Sequence, residues 1–530
     1  MFDSHARSLI NDVPEFDGLT GDDVARALST AYLSIIRYRI NQSDVDAEQL
    51  TSAQPFLRRV ANVLIFHVLL DDERDIEERR AAAFVAAEAI ALLADYVALL
   101  DVAAGEEEQP TPEQSGEQQT RIEASLLYLF SGYDACAAGV LTLPPPAAGP
   151  DASLVDQARA WSFDRLERLC RLQLVPVIDT EVTFELNTAA ELNAVELEAD
   201  TIARLFVELG RTVSEFAAWL GGDANGLDAA TARITRVIET LTPTGQDTIT
   251  EVGPPVGHSY ANVFHLGVLL RLCMPSLGER SLLQAVPAPP NGDAEAYGNY
   301  LRARATGNAN TQGRPVLWPS AFEYVNECIH GDKRHAVVSM PTGSGKSFIG
   351  ELAVSQAVTD GWAIYLAPTN ALTEQIRGDL RTGLRVLGTE VLAFIGDQEY
   401  SIFANDSVSM MEPNSVAVMT PEKCALALRL SPEAFESCRL VIFDECHLIG
   451  DSSSRGPVAE LVLSQLMLRA PDCRFLLMSA IIQNPQDLAG WLEALRVRSQ
   501  SVGVRQGHCG RFWESSTVPI GGMPLPHNAN

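Results

Sequence analysis

Pro341-Thr342-Gly343-Ser344-Gly345-Lys346-Ser347 sets two glycines, a lysine and three hydroxyl residues beside one another. Gly343 and Gly345 let backbone N–H groups turn inward around anionic oxygens. Lys346 adds a compact positive charge, and Ser347 adds a hydroxyl that suits Mg2+. The stretch follows an apolar run, His335 to Met340, and precedes a helical one, Phe348 to Val358. That is the strand–loop–helix context in which such a loop cradles phosphates. The full pattern starts with glycine, and Met340 stands there. The plainer reading, a Gly/Ser turn that binds nothing, does not account for the strand and helix on either side.

Asp444, 98 residues beyond Lys346, and Glu445 close a second apolar run, Leu440 to Phe443. One carboxylate there would be a stray charge. Two side by side at the mouth of a buried strand repel each other unless a cation compensates. Mg2+ is the expected cation, with Asp444 binding it through water. Glu445 would then take a proton from the water that attacks a γ-phosphate. The expected ligand is ATP with Mg2+, held by Thr342, Gly343, Ser344, Gly345, Lys346 and Ser347. Ser347 and Asp444 are the expected metal residues, and Lys346, Asp444 and Glu445 the catalytic ones.

These motifs need strands to position them. His335–Met340, Ala363–Leu366, Val391–Ile395, Val416–Met419, Leu440–Phe443 and Phe475–Met478 are short apolar runs separated by helical stretches. Such alternation predicts buried parallel strands in an α/β layer, with function at their carboxyl ends. Upstream the texture is helical: Asp22–Ile40, Ala81–Val102, Arg121–Leu141, Asp156–Leu174, Leu192–Leu220 and Ala229–Leu241. Breaks are expected at Gly105–Gln119, Pro144–Pro150, Thr242–Gly257 and Val286–Gly292. The expected fold class is α followed by α/β. An acidic helical region would span 1–300, a polar linker 301–314, a nucleotide domain 315–498 and an irregular tail 499–530.

The whole chain sets bounds. Its 530 residues predict more than one core. The formal charge of −30 opposes a polyanion partner if spread evenly. Only Lys333, Lys346 and Lys423 are lysines, so a lysine at 346 runs against the chain's own bias. The nine cysteines form no Cys-x-x-Cys pair, which argues against a disulfide framework or a zinc site and for a reducing cytoplasm. His508-Cys509 lacks a partner pair for a metal, and Cys446 has no base placed to make it a nucleophile. The apolar stretch near Val60–Leu70 is interrupted and too short to cross a membrane.

The ordered motifs resemble superfamily 2 helicases of the DExH (DEAD/DEAH box) type. Asp444-Glu445-Cys446-His447-Leu448-Ile449-Gly450-Asp451, Arg455-Gly456, Glu460, Ser479-Ala480, Asn484-Pro485, Asp487-Leu488 and Trp491-Leu492 resemble the Ski2-like group. The likeness covers roughly residues 315–495 and implies the first RecA-like domain, a doubly wound parallel sheet. It implies a DNA or RNA strand as partner, lined by Pro368 and Thr369 and by Thr420 and Lys423. Hydroxyls and free N–H groups at two helix starts suit phosphate oxygens; the plainer role for both threonines is helix capping. His447, Ser479 and Ala480 would couple hydrolysis to strand movement.

Two positions depart from the family pattern. Ala321 stands where a glutamine reads adenine, which removes the two hydrogen bonds of that readout. Ile481 stands where motif III ends in threonine, which predicts weakened coupling. The resemblance also implies a second RecA-like domain with an arginine-rich motif. No such motif follows Leu492 in these residues, so the expectation is a truncated, frameshifted or split motor that is weak or inactive by itself. The rival expectation is an adaptor, for example in a bacterial defence assembly, whose helical region binds a protein partner and whose nucleotide domain is a switch.

Overall fold

The computed structural model describes residues 20–40, 47–70, 75–104, 112–143, 152–174, 194–242, 254–308, 311–331, 333–340, 345–394, 412–450, 455–480, 482, 485–499 and 509–512. The chain divides into two compact units, Ala6–Gln284 with Arg302–Leu317, and Ala285–Leu301 with Trp318–Asn530.

The first unit is helical. Its helices are α1 (Gly21–Ile40), α2 (Ala47–Leu70), α3 (Ile76–Ala104), α4 (Pro112–Ser131), α5 (Asp134–Val140), α6 (Leu154–Cys170), α7 (Ala194–Leu220), α8 (Gly226–Leu241) and α9 (Pro254–Glu279). Sequential helices pack on one another through Ala- and Leu-rich faces, as in α3, where Ala81 to Ala87 are all buried. The break expected up to Gln119 ends earlier, because α4 already starts at Pro112. The helix expected over Arg121–Leu141 is two helices, divided at Gly132 with φ +86°. Pro144–Pro150 lies outside the described residues.

Arg280 is buried and ties this unit together. It forms a two-pronged pair with Asp134 at 2.8 and 3.0 Å and donates to the carbonyls of Leu317 and Leu129. Helix α9 contains one stretch, Tyr260–Glu279, long and apolar enough to cross a membrane, where the sequence had pointed only to Val60–Leu70. Val263, Leu266, Leu269, Leu270 and Leu277 of that stretch are buried in the helical core. Its Cys273 Sγ donates to the Leu126 carbonyl of α4 at 3.0 Å.

The polar segment expected to be a linker, 301–314, is instead the end of α10 (Ala294–Thr306) and a two-stranded antiparallel ladder, β1 (Gly307–Asn308) with β2 (Thr311–Gln312). Arg304 to Arg314 closes the ladder by a backbone hydrogen bond of 2.8 Å. Polar composition hid this structure because a short ladder needs no apolar face.

The second unit is a seven-stranded sheet in the order β5-β6-β4-β7-β8-β3-β9, every pair parallel. The strands are β3 (His335–Ser339), β4 (Trp362–Leu366), β5 (Glu390–Ala393), β6 (Ser415–Met419), β7 (Cys438–Asp444), β8 (Arg474–Ser479) and β9 (Cys509–Phe512). All six expected strands form. Strands β3, β4 and β6 are buried throughout, so they read as continuous apolar runs and not as alternations. The seventh, β9, falls in the tail expected to be irregular and pairs with β3. The connecting helices are α11 (Pro319–Tyr324), α12 (Lys346–Ala357), α13 (Asn370–Gly383), α14 (Pro421–Leu430), α15 (Arg455–Arg469) and α16 (Pro485–Ser499). Gly350 of α12 sits where a Cβ would lie 3.4 Å from the Tyr365 ring, which brings this helix close onto the sheet.

Residues 285–301 belong to this unit through polar contacts to α12. The Tyr300 hydroxyl donates to Glu351 Oε1 at 3.0 Å, and the Tyr297 hydroxyl lies 2.9 Å from Ser355 Oγ. Gln356 Nε2 donates to the Pro287 carbonyl and to the Tyr297 hydroxyl. All of Tyr297, Tyr300, Glu351 and Ser355 are buried. Tyr300→Phe removes a buried hydrogen bond to a carboxyl group and is expected to destabilise this unit by about 1.5–3 kcal/mol. Urea unfolding followed by tryptophan fluorescence measures it; an unchanged midpoint would mean the contact contributes nothing.

Candidate nucleotide site and adjoining loops

Strand order decides which loops meet. Because all strands run parallel, their carboxyl ends share one edge, and β7, β8 and β3 are neighbours there. The loops holding Asp444-Glu445, Ser479-Ala480 and Lys346 are therefore adjacent, although the sequence separates them widely. The Met340 N–H donates to the Ser479 carbonyl at 3.0 Å and carries the β3–β8 pairing up to the loop itself.

Pro341, Thr342, Gly343 and Ser344 lie outside the described residues. Gly345 precedes α12 with φ +95°, in the left-handed region. A Cβ there would sit 3.3 Å from the Trp318 indole, so shape and backbone both favour glycine. Lys346 follows as the first residue of α12, and Ser347 is exposed in the first turn. The Lys346 ammonium nitrogen is buried and has no hydrogen-bond partner among the described residues. A buried cation without a partner is costly unless an anion meets it.

The anionic side of the site matches. Asp444 ends β7, and burial first, then the neighbouring Glu445 charge, push its carboxyl above the usual range. The Glu445 N–H and the Lys346 charge act in the opposite direction. The Tyr365 hydroxyl donates to Asp444 Oδ2 at 3.4 Å, and the Glu445 N–H donates to Oδ1 at 3.0 Å. Glu445 holds φ +53°, ψ +47°, a left-handed conformation that non-glycine residues rarely adopt. It ends the strand abruptly and turns the chain into the short helical turn Cys446–Leu448. Strain of this kind clusters at functional sites.

Glu445, His447 and Ser479 form a triangle. Ser479 Oγ donates to Glu445 Oε2 at 3.2 Å. His447 Nδ1 lies 3.1 Å from the same oxygen and 3.0 Å from Ser479 Oγ. The link between these loops therefore runs through Ser479; Ile481 lies outside the described residues. Ala480 follows Ser479, half-buried. Burial pushes the Cys446 thiol up, which keeps it protonated and unreactive.

The residues expected along a strand sit at the other half of the same edge. Thr369 is exposed and caps α13, its hydroxyl accepting from the Leu372 N–H at 3.3 Å. Pro368 is half-buried, and its carbonyl accepts from Arg455 Nη2. Thr420 is buried at the start of α14. Lys423 departs from expectation: its ammonium donates to the Phe394 carbonyl at 2.7 Å and is directed at the end of β5. Ala321 is buried on α11 and presents no polar group. Sequence reading missed the parts of Tyr365 and Arg455. A lone hydroxyl in the apolar run of β4 was the available signal for the first.

Residues 322–488 match the DEAD/DEAH box helicase family model. This unit carries a DEAD/DEAH box helicase domain. Among curated relatives, ATP-dependent DNA helicase Hel308 of Thermoplasma acidophilum is 34% identical over 167 residues, 31% of this chain and 24% of that protein. Hel308 of Thermococcus kodakarensis is 32% identical over 214 residues, 39% of this chain and 18% of its own length. Hachiman protein HamB of Bacillus cereus is 26% identical over 216 residues, again 39% of this chain and 18% of that protein. The chain thus spans a quarter or less of the length of these relatives. The solved structure of DUF1998 helicase MrfA aligns at 23% identity with a TM-score of 0.30, over 39% of this chain and 32% of that one.

Within the helicase domain, Ser479→Ala removes one contact to Glu445 and leaves Lys346 and Asp444 untouched. It is expected to lower phosphate release about tenfold with unchanged affinity for a fluorescent ATP analogue. A parallel loss of affinity would show that Ser479 supports binding and not turnover.

Proposed function

We propose that this chain contributes the ATP-binding and strand-binding half of a DExH-type helicase or translocase. The observation that carries the reading is the buried ammonium of Lys346, without a hydrogen-bond partner among the described residues, at the edge where Asp444 and Glu445 also end their strand. A nucleoside triphosphate with Mg2+ supplies hydrogen-bond acceptors for the Lys346 ammonium and the cation that the paired carboxylates require. Lys346 would hold phosphate oxygens, Ser347 and Asp444 the metal. Thr342, Gly343 and Ser344 complete the phosphate loop in this reading.

Glu445 is the proton acceptor for an attacking water, held in direction by Ser479 and His447. Motion of the Ser479-Ala480 loop would then register at Glu445. Pro368, Thr369 and the start of α14 after the buried Thr420 line a DNA or RNA strand in this reading, with the Thr369 hydroxyl and helix-start N–H groups suited to phosphate oxygens. Unwinding requires a second RecA-like domain, whose arginines stabilise the transferring phosphate in enzymes of this kind; arginine fingers contribute on the order of 10³-fold or more. The 530-residue chain by itself is expected to bind ATP–Mg2+ and turn it over slowly. The family's glutamine position holds buried Ala321, which favours weak discrimination for adenine.

A second reading keeps the nucleotide domain as a switch and gives the helical unit, by itself a compact body, the work of binding a protein partner. Strand-stimulated turnover on adding a second-domain chain favours the motor. Partner binding by the helical unit without any stimulation favours the adaptor.

Lys346→Ala is expected to abolish binding of a fluorescent ATP analogue in the presence of Mg2+, a loss of about 100-fold or more in affinity. Equal binding by both chains sinks the phosphate-loop assignment.

A further inference from the structure

Arg455 opens α15, the helix that follows the Asp444-Glu445 turn, and reaches across two other loops. Its Nε donates to Glu422 Oε1 at 2.8 Å, and its Nη2 donates to the Pro368 carbonyl. Pro368 immediately precedes Thr369, the cap of α13, and Glu422 lies in the first turn of α14. These helices follow β4 and β6, which are paired neighbours in the sheet. We propose that Arg455 is a positioning residue that fixes the spacing of the two strand-facing loops through Pro368 and Glu422, without touching the strand itself. The proposal rests on the strand-binding reading given above.

The chemistry of the side chain fits this part. A guanidinium is planar and presents its donors in fixed directions, so bonding two oxygens at once sets the distance between them. An ordinary ion pair at 39% and 45% side-chain exposure would contribute little to stability. Burial by itself would raise the Glu422 carboxyl; the Arg455 guanidinium, the Glu422 backbone N–H and the Thr420 hydroxyl together outweigh it and hold the carboxyl below its ordinary range. Lys423, next to Glu422, bonds the Phe394 carbonyl, so a second cation fixes the same turn toward β5.

Both cations beside the two threonines are thus directed at protein oxygens. Strand phosphates would meet hydroxyls and N–H groups there, and affinity would depend on the placement of those groups more than on charge. This gives a distinctive salt signature, because each cation lost from a phosphate lowers the slope of log affinity against log salt by about one.

The test uses the full chain and a fluorescent oligothymidine strand, with anisotropy read across a series of salt concentrations. A fluorescent ATP analogue serves as control. Arg455→Ala is expected to weaken strand affinity about tenfold with the salt slope unchanged and ATP-analogue binding intact. Arg455→Lys should not restore it, since one ammonium does not span both oxygens in fixed directions. Glu422→Ala removes one arm from the other side and should weaken strand binding in the same sense, which keeps the test valid if Arg455→Ala misfolds. A salt slope lower by about one in Arg455→Ala, with rescue by lysine and no effect of Glu422→Ala, would mean that Arg455 holds a phosphate, and overturns the proposal. Unchanged affinity in all three variants overturns it too. If the unaltered chain binds the ATP analogue and no strand, the strand-binding reading itself falls, and the clamp with it.

Discussion

Parallel pairing of the strands is the constraint on which everything else here depends. It sends every carboxyl end to one edge, and the order β5-β6-β4-β7-β8-β3 then sorts the loops by kind. Lys346, Asp444-Glu445 and Ser479 follow three consecutive strands at one end of that edge. Phe394, Thr420 and Pro368-Thr369 follow the three at the other. Neighbouring strands stand about 4.8 Å apart, so each group of three spans roughly 10 Å, about the reach of a triphosphate or of two nucleotides' backbone. An antiparallel sheet would scatter the same motifs over both edges.

The edge also concentrates polar groups that the fold leaves incompletely matched. The Lys346 ammonium is buried without a hydrogen-bond partner among the described residues, the Glu445 charge raises the cost of ionising Asp444, and Glu445 sits in a left-handed conformation. Each of these is unfavourable in isolation. They are tolerated because the strands beneath are among the best-buried parts of the unit, with Trp362, Ile364, Val441 and Phe443 at 1% exposure or less. A ligand that meets both the ammonium and the carboxylates removes several of these penalties at once and would stabilise the unit by mass action.

How much of this could be read from the chain follows from how local each cause is. Strands β3, β4, β6, β7 and β8 show as short runs of apolar residues, because a strand buried on both faces carries its signal in itself. The Gly343–Ser347 run and the two carboxylates stand out in the sequence because their residue types suit so few other roles. The packing of Tyr297 and Tyr300 on α12 does not show: each tyrosine sits in an ordinary helical pattern, and its partner lies more than fifty residues away. Lys423 misled for a related reason. Its position in the first turn of α14 suggested a free charge, whereas the neighbouring strand β5 supplies a carbonyl that only the folded sheet brings within reach. Gly132 divided a helix that apolar periodicity had joined, since periodicity continues across a single left-handed residue.

The charge of the chain then takes on a more specific meaning. With 69 acidic against 39 basic side chains, it repels a polyanion at long range. Several of its described arginines are paired with carboxylates: Arg280 with Asp134, Arg121 with Glu117 and Asp95, Arg233 with Glu208 and Glu215, Arg455 with Glu422. A strand lying along the starts of α13 and α14 would therefore meet short-range donors within a repulsive field. Salt screens such a field over a Debye length of about 8–10 Å and leaves hydrogen bonds to hydroxyl and N–H groups largely intact. The usual sense of salt dependence, in which added ions compete a cationic surface off a phosphate backbone, is thereby blunted by the same arrangement that holds the loops in place.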